Sequence, residues 1–138
     1  MTRALKLVML TSAVVFLGTA ASAHTVTSSL TFNASAQGNS HKLVGDGVFT
    51  PGSEPLVQDC GPASGRTVIL LVNGTPYTGG LNPGSLTTTA GGAYSFRTDA
   101  FTPGNYNFQT RVQGQVGGGY DDVHPCADAD SGTVNVTL

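Results

Sequence analysis

Residues 90–112, AGGAYSFRTDAFTPGNYNFQTRV, decide the fold class. Tyr94, Phe96 and Thr98 share one parity, as do Tyr106, Phe108, Thr110 and Val112, while Ser95, Arg97, Asn105, Asn107, Gln109 and Arg111 take the other. A period of two, with apolar or aromatic side chains on one face and polar ones on the other, is the pattern of a half-buried strand. Between the runs, residues 99–105 hold Pro103-Gly104, too long a link for a two-residue hairpin turn. The spacing therefore predicts a chain that crosses from one sheet to a second sheet packed on it.

Upstream, residues 67–72 (TVILLV) read as a central strand that stops at Asn73-Gly74, a dipeptide whose tolerance of positive φ marks a tight turn. Val68, Leu70 and Val72 are expected in the core. Ile69 and Leu71 then fall on the outer face beside Gln109 and Arg111, as a small apolar patch with a polar rim that would suit a partner or self-association. Residues 25–32 alternate weakly and suit an edge strand. Residues 33–40 look turn-like, and residues 42–50 form a strand whose inward face is ambiguous, with glycines at 45 and 47 on one parity and valines at 44 and 48 on the other. Residues 51–65 and 113–132 are two long Gly- and Pro-containing loops, 79–84 a turn, 85–89 a short strand and 133–138 (TVNVTL) the last strand. No stretch carries a helical period beyond the first residues. The result is an all-β chain of seven to eight strands, the pattern of a Greek-key β-sandwich.

The first residues set the address. Arg3 and Lys6 precede the apolar run 7–18, and Ala21-Ser22-Ala23 offers small residues for cleavage, so residues 1–23 read as a secretory signal peptide. The apolar run is shorter than the ~20 residues that a membrane span needs. The expected mature chain, residues 24–138, is a single domain, secreted to the exterior or the periplasm. Without Arg3 and Lys6, four basic residues face eight acids, a net charge of −4. That balance argues against nucleic acid as a partner.

Residues 65–112 resemble the bacterial Ig-like domains of secreted and surface proteins, in three pieces: Gly65-Arg66-Thr67-Val68-Ile69-Leu70-Leu71-Val72-Asn73-Gly74, Gly92-Ala93-Tyr94-Ser95-Phe96 and Phe101-Thr102-Pro103-Gly104-Asn105-Tyr106. The resemblance implies an immunoglobulin-like Greek-key sandwich and a non-enzymatic role in adhesion, scaffolding or binding of an extracellular protein or glycan. Tyr106 stands two residues before Phe108, where an antibody-type domain places its second cysteine.

Three groups of residues carry candidate chemistry. Cys60 and Cys126 are the only cysteines, and in an oxidising compartment they have one intramolecular pairing, so a disulfide is expected. An Ig-like order places their two loops at the same end. His24 would be the first mature residue, so its α-amine and imidazole are a candidate Cu(II) chelate, with His41 or His124 supplying a second imidazole. That donor set resembles the histidine brace of copper-dependent polysaccharide monooxygenases, a route to an enzyme; paired carboxylates such as Asp121 and Asp122 are a second, since sequence adjacency says nothing of their separation in space. The acidic run 121–130, with Asp121 and Asp122 at its head, is a calcium candidate because hard cations take several oxygens from one loop, although it lacks the spaced pattern of an EF-hand. No G-x-S-x-G, H-E-x-x-H or S-x-x-K motif is present, so nucleophilic catalysis is not expected, and no resident cofactor is expected beside the copper and calcium alternatives.

Overall fold

A computed structural model describes residues 24–53, 60–115 and 124–138. The signal-peptide reading of 1–23 lies outside these residues. Ten strands and no helix occur among them: β1 (Ser29–Leu30), β2 (Asn33–Ala36), β3 (Leu43–Thr50), β4 (Val68–Val72), β5 (Thr75–Pro76), β6 (Leu81–Asn82), β7 (Ala93–Thr98), β8 (Asn105–Val112), β9 (Ala129–Asp130) and β10 (Val134–Thr137). One antiparallel sheet has β1 and β2 end to end along one edge of β3, with β7 and then β6 on its other edge. In the other, the order is β10-β8-β4-β5, with β9 also on β8. Phe49, Tyr94 and Phe96 from the first sheet and Val68, Leu70, Phe108, Val112 and Val136 from the second fill one core, the layout of a β-sandwich.

The alternation in 90–112 has the expected consequence. Tyr94, Phe96 and Thr98 are buried on β7, and Phe108, Thr110 and Val112 on β8, while the link between the strands passes from one sheet to the other. Asn73 (φ 50°) and Gly74 (φ 80°) are the two loop residues between β4 and β5, since two successive positive φ values match the right-handed twist of the flanking strands.

Strand β3 resolves its own ambiguity through its glycines. Leu43, Gly45, Gly47 and Phe49 face inward, and Gly45 lies beneath the rings of Phe96 and Phe32, where a Cβ would overlap both. Those two rings stack with centroids 6.1 Å apart. At Gly47 a Cβ would overlap the Thr31 carbonyl oxygen and the Tyr94 hydroxyl. Here the edge breaks between β1 and β2. The Thr31 side-chain hydroxyl accepts the Val48 N–H at 2.8 Å, which leaves the Thr31 carbonyl to accept the Tyr94 hydroxyl at 2.6 Å.

Tyr94 also bonds the Thr110 hydroxyl at 2.6 Å, joining the two sheets inside the core. A carbonyl can only accept, so the phenol proton goes to Thr31 and Thr110 donates to Tyr94. Burial above all pushes the Tyr94 phenol up to about 12; the Thr110 hydrogen bond lowers it and Asp46 raises it. The unfolded chain would release that proton near pH 10, before the folded one does. Tyr94 therefore makes stability fall as pH rises from about 10 to about 12. Tyr94→Phe is expected to cost about 1–3 kcal/mol at neutral pH, because it leaves the hydroxyl of the fully buried Thr110 without its acceptor. The variant should also lose stability less steeply above pH 10, which urea midpoints measured across that range would show.

Six elements differ from the sequence reading: the edge strand over 25–32 narrows to β1 at Ser29–Leu30, β5 follows the Asn73-Gly74 turn at Thr75–Pro76, and four others depart further. Residues 33–36 form β2 rather than a turn, because a strand at the edge needs only its ladder to β3, and its outward polar side chains suit solvent. Residues 81–82 form β6 on β7 rather than part of a turn, and Ala129–Asp130 form β9 on β8 inside the second long loop. Residues 85–89 make no named strand: Thr67 and Thr87 form an isolated bridge, the Val68 N–H donates to the Leu86 carbonyl at 2.8 Å, and the Thr88 N–H to the Arg66 carbonyl at 2.9 Å.

Candidate functional site

Three described segments meet at one end of the sandwich: residues 24–28, residues 60–66 after β3, and residues 113–115 with 124–128 after β8. Val26 and Cys126 form a parallel bridge, the Val26 N–H donating to the Pro125 carbonyl and the Ala127 N–H to the Val26 carbonyl, both at 3.0 Å. Cys60 and Cys126 are joined in a disulfide with Cα atoms 5.8 Å apart, the one internal pairing that two cysteines allow. With Val26 they form a small buried cluster of their own. Backbone bonds hold each half of the bridge, Cys60 N–H to the Gly52 carbonyl at 2.8 Å and Cys126 N–H to the Gln115 carbonyl at 3.1 Å.

Arg66 ties the two loops a second time. Its guanidinium donates to the Cys60 carbonyl at 2.8 Å and to the Gln113 carbonyl at 3.0 Å, and it lies 4.9 Å from the centre of the Phe49 ring. A buried charge needs such partners, and a planar fork can reach two carbonyls while stacking on an aromatic face. The sequence carried no sign of this role, because an arginine directly before a strand looks like any surface cation.

The histidines separate. His24 and His124 have their rings 4.4 Å apart, edge to face at 84°. His41 belongs to the turn between β2 and β3, with φ 52° and its carbonyl accepting the Phe101 N–H at 2.8 Å. The eight residues of β3 lie between that turn and the Gly52 end, a span of roughly 23 Å at the ordinary rise per residue. Of the two imidazoles considered as partners for His24, the structure places His124 there and His41 away.

No protein-family model, no curated protein and no solved structure matches this chain.

The acidic loop is described only from residue 124 onward, so Asp121 and Asp122 lie outside the described residues. The carboxylates of Asp128 and Asp130 turn toward Arg111. Asp130 accepts from its Nε at 2.6 Å and from Nη2 at 2.7 Å, while Asp128 lies 3.8 Å from Nε and accepts the Gly114 N–H at 2.8 Å. The hydrogen bond to Arg111 holds the Asp130 carboxyl below the usual carboxylate range, partly offset by burial. This arrangement spends their oxygens on an internal cation, which weakens the calcium reading for this half of the loop. Among the described residues no three His, Cys, Asp or Glu side chains gather as a metal site.

The outer face of β4 has the expected register, Ile69 opposite Arg111 and Leu71 opposite Gln109. It is not an open apolar patch. Leu71 is only 5% exposed and Ile69 is half-buried. Pro76 on β5 pairs with Leu71 from the other side, and Arg111, which should have been a polar rim, is engaged with Asp130. The large apolar side chain that does stand exposed among the described residues is Val48, on β3.

Proposed function

We propose that the chain is exported and acts outside the cytoplasm as a non-enzymatic Ig-like module that binds or scaffolds an extracellular protein or glycan. Two features support the Ig-like part. The order β2-β3-β7-β6 facing β10-β8-β4 matches the A-B-E-D and G-F-C arrangement of that fold. The Tyr106 hydroxyl donates to the Thr102 carbonyl, four residues upstream, at 2.8 Å, as in a tyrosine corner, with Phe108 fully buried where the second cysteine of an antibody-type domain would stand. The observation that carries the binding part is the loop end itself. Disulfide, parallel bridge and Arg66 hold three irregular segments in fixed relation, and loops held by a rigid scaffold are where binding surfaces are built.

Expression of the whole chain in a secreting host tests both halves. A protein recovered outside the cytoplasm, beginning at His24 and without free thiol, is the expected product. Co-sedimentation with insoluble polysaccharides and washed cell envelopes should then retain it, and retention should fall in a variant carrying substitutions at Pro62 and Ser64, both exposed in the first loop. Cytoplasmic accumulation with reduced cysteines would refute export; indifference to every surface offered would refute the binding role.

A further inference from the structure

We infer that the mature chain binds one Cu(II) ion at the disulfide end of the sandwich, through the α-amine and imidazole of His24 and the imidazole of His124. The inference rests on the export reading in one respect, that cleavage leaves His24 as the first residue.

The juxtaposition follows from register. A parallel bridge at Val26 and Cys126 sets two segments running in the same direction, so residues at equal offsets are neighbours. Side chains alternate along an extended backbone, so residues two before each bridge partner share a side. Those residues are His24 and His124, and their ring centroids are 4.4 Å apart. Neither segment is loosely attached. Val26 is bonded on both its N–H and its carbonyl to the 125–127 backbone, and Cys126 is tied covalently to Cys60. The approach of two histidines separated by a hundred positions is thus held by a bridge and a disulfide two residues away.

The donor set selects the metal. An amino-terminal histidine offers its amine and its Nδ1 to the same ion in a six-membered chelate ring, and the second imidazole adds a third nitrogen. Two nitrogens each about 2 Å from one ion stand roughly 3–4 Å apart, a separation that rings at this distance reach by rotation about their own side-chain bonds. Three nitrogens in a tetragonal arrangement, completed by water, suit Cu(II), which also stands at the top of the divalent affinity order. A closed tetrahedral zinc site wants four protein ligands, and the nearby carboxylates of Asp128 and Asp130 face Arg111 instead. Binding releases the proton of the amine, whose ordinary pKa is about 8, so affinity should rise with pH through neutrality.

The test uses protein released from a fusion by cleavage directly before His24, with its disulfide formed, titrated with Cu(II) against a competing chelator. One ion per chain is expected, with nitrogen couplings in the electron paramagnetic resonance spectrum. His124→Ala and a form that keeps residues 21–23 should each bind at least tenfold more weakly, while His41→Ala should match the parent. Circular dichroism and thermal transitions of all four proteins check that each is folded. Parent-like affinity in His124→Ala, or in the extended form, would overturn the site even if export is correct. A naturally secreted protein that begins elsewhere than His24 would overturn the export premise, and with it the site in the natural protein, whatever the affinity of the cleaved fusion.

Discussion

Replacing Cys60 and Cys126 together by alanine is expected to lower stability by about 4 kcal/mol, because the bond closes a loop spanning 66 positions and its loss returns that loop's freedom to the unfolded chain. For a domain of this size that corresponds to a fall of roughly 15 °C in the thermal transition. Both sulfurs are buried, so the double variant also leaves a small gap beside Val26, which adds to the loss rather than offsetting it. Differential scanning calorimetry of parent and variant gives the comparison directly. A change below about 1 kcal/mol would mean that the unfolded chain stays compact without the bond, so that closing the loop removes little of its freedom. Copper affinity should fall in the same variant, since the segment carrying His124 would be held by hydrogen bonds alone.

Phe108→Ala is expected to cost about 3–5 kcal/mol, the range for removing a large aromatic side chain from a packed core. Phe108 is 0% exposed and sits at the centre of β8, opposite Val72 on β4 and Val134 on β10. Its ring meets Phe101 edge to face at 5.5 Å and Tyr106 at 5.9 Å, so truncation removes contacts that no neighbour on a paired strand can move in to replace. Phe108→Leu keeps most of the volume and should cost about 1.5 kcal/mol or less. Urea unfolding with the disulfide intact would measure both. Against a total stability of ~5–15 kcal/mol for a domain, the alanine variant should be close to unfolding at physiological temperature, while the leucine variant should not.

The sequence by itself determined what local chemistry decides. Alternation assigned the inward faces of β7 and β8, because the two-residue period of a strand is written into each strand alone. Asn73-Gly74 located a turn because few other residues tolerate two positive φ values in succession. Two cysteines in a chain with an export signature left one internal pairing. The limit came where a position's role depends on side chains from elsewhere. Gly45 and Gly47 carry no hydrophobic signal, yet they are the inward face of β3, since Phe32, Phe96 and Tyr94 from other strands occupy the space above them. Residues 33–36 (NASA) form a strand because β3 offers a ladder, not because their side chains favour one. Leu71 points outward by parity and is buried all the same, since what lies over a sheet's outer face is not encoded in the strand. The candidate site shows the same division. His24 was singled out by the cleavage pattern, but the choice of His124 over His41 was made by tertiary structure. A parallel bridge two residues away and the disulfide beside it bring positions a hundred residues apart into register, and a contact of that sequence separation leaves no periodic trace in either segment.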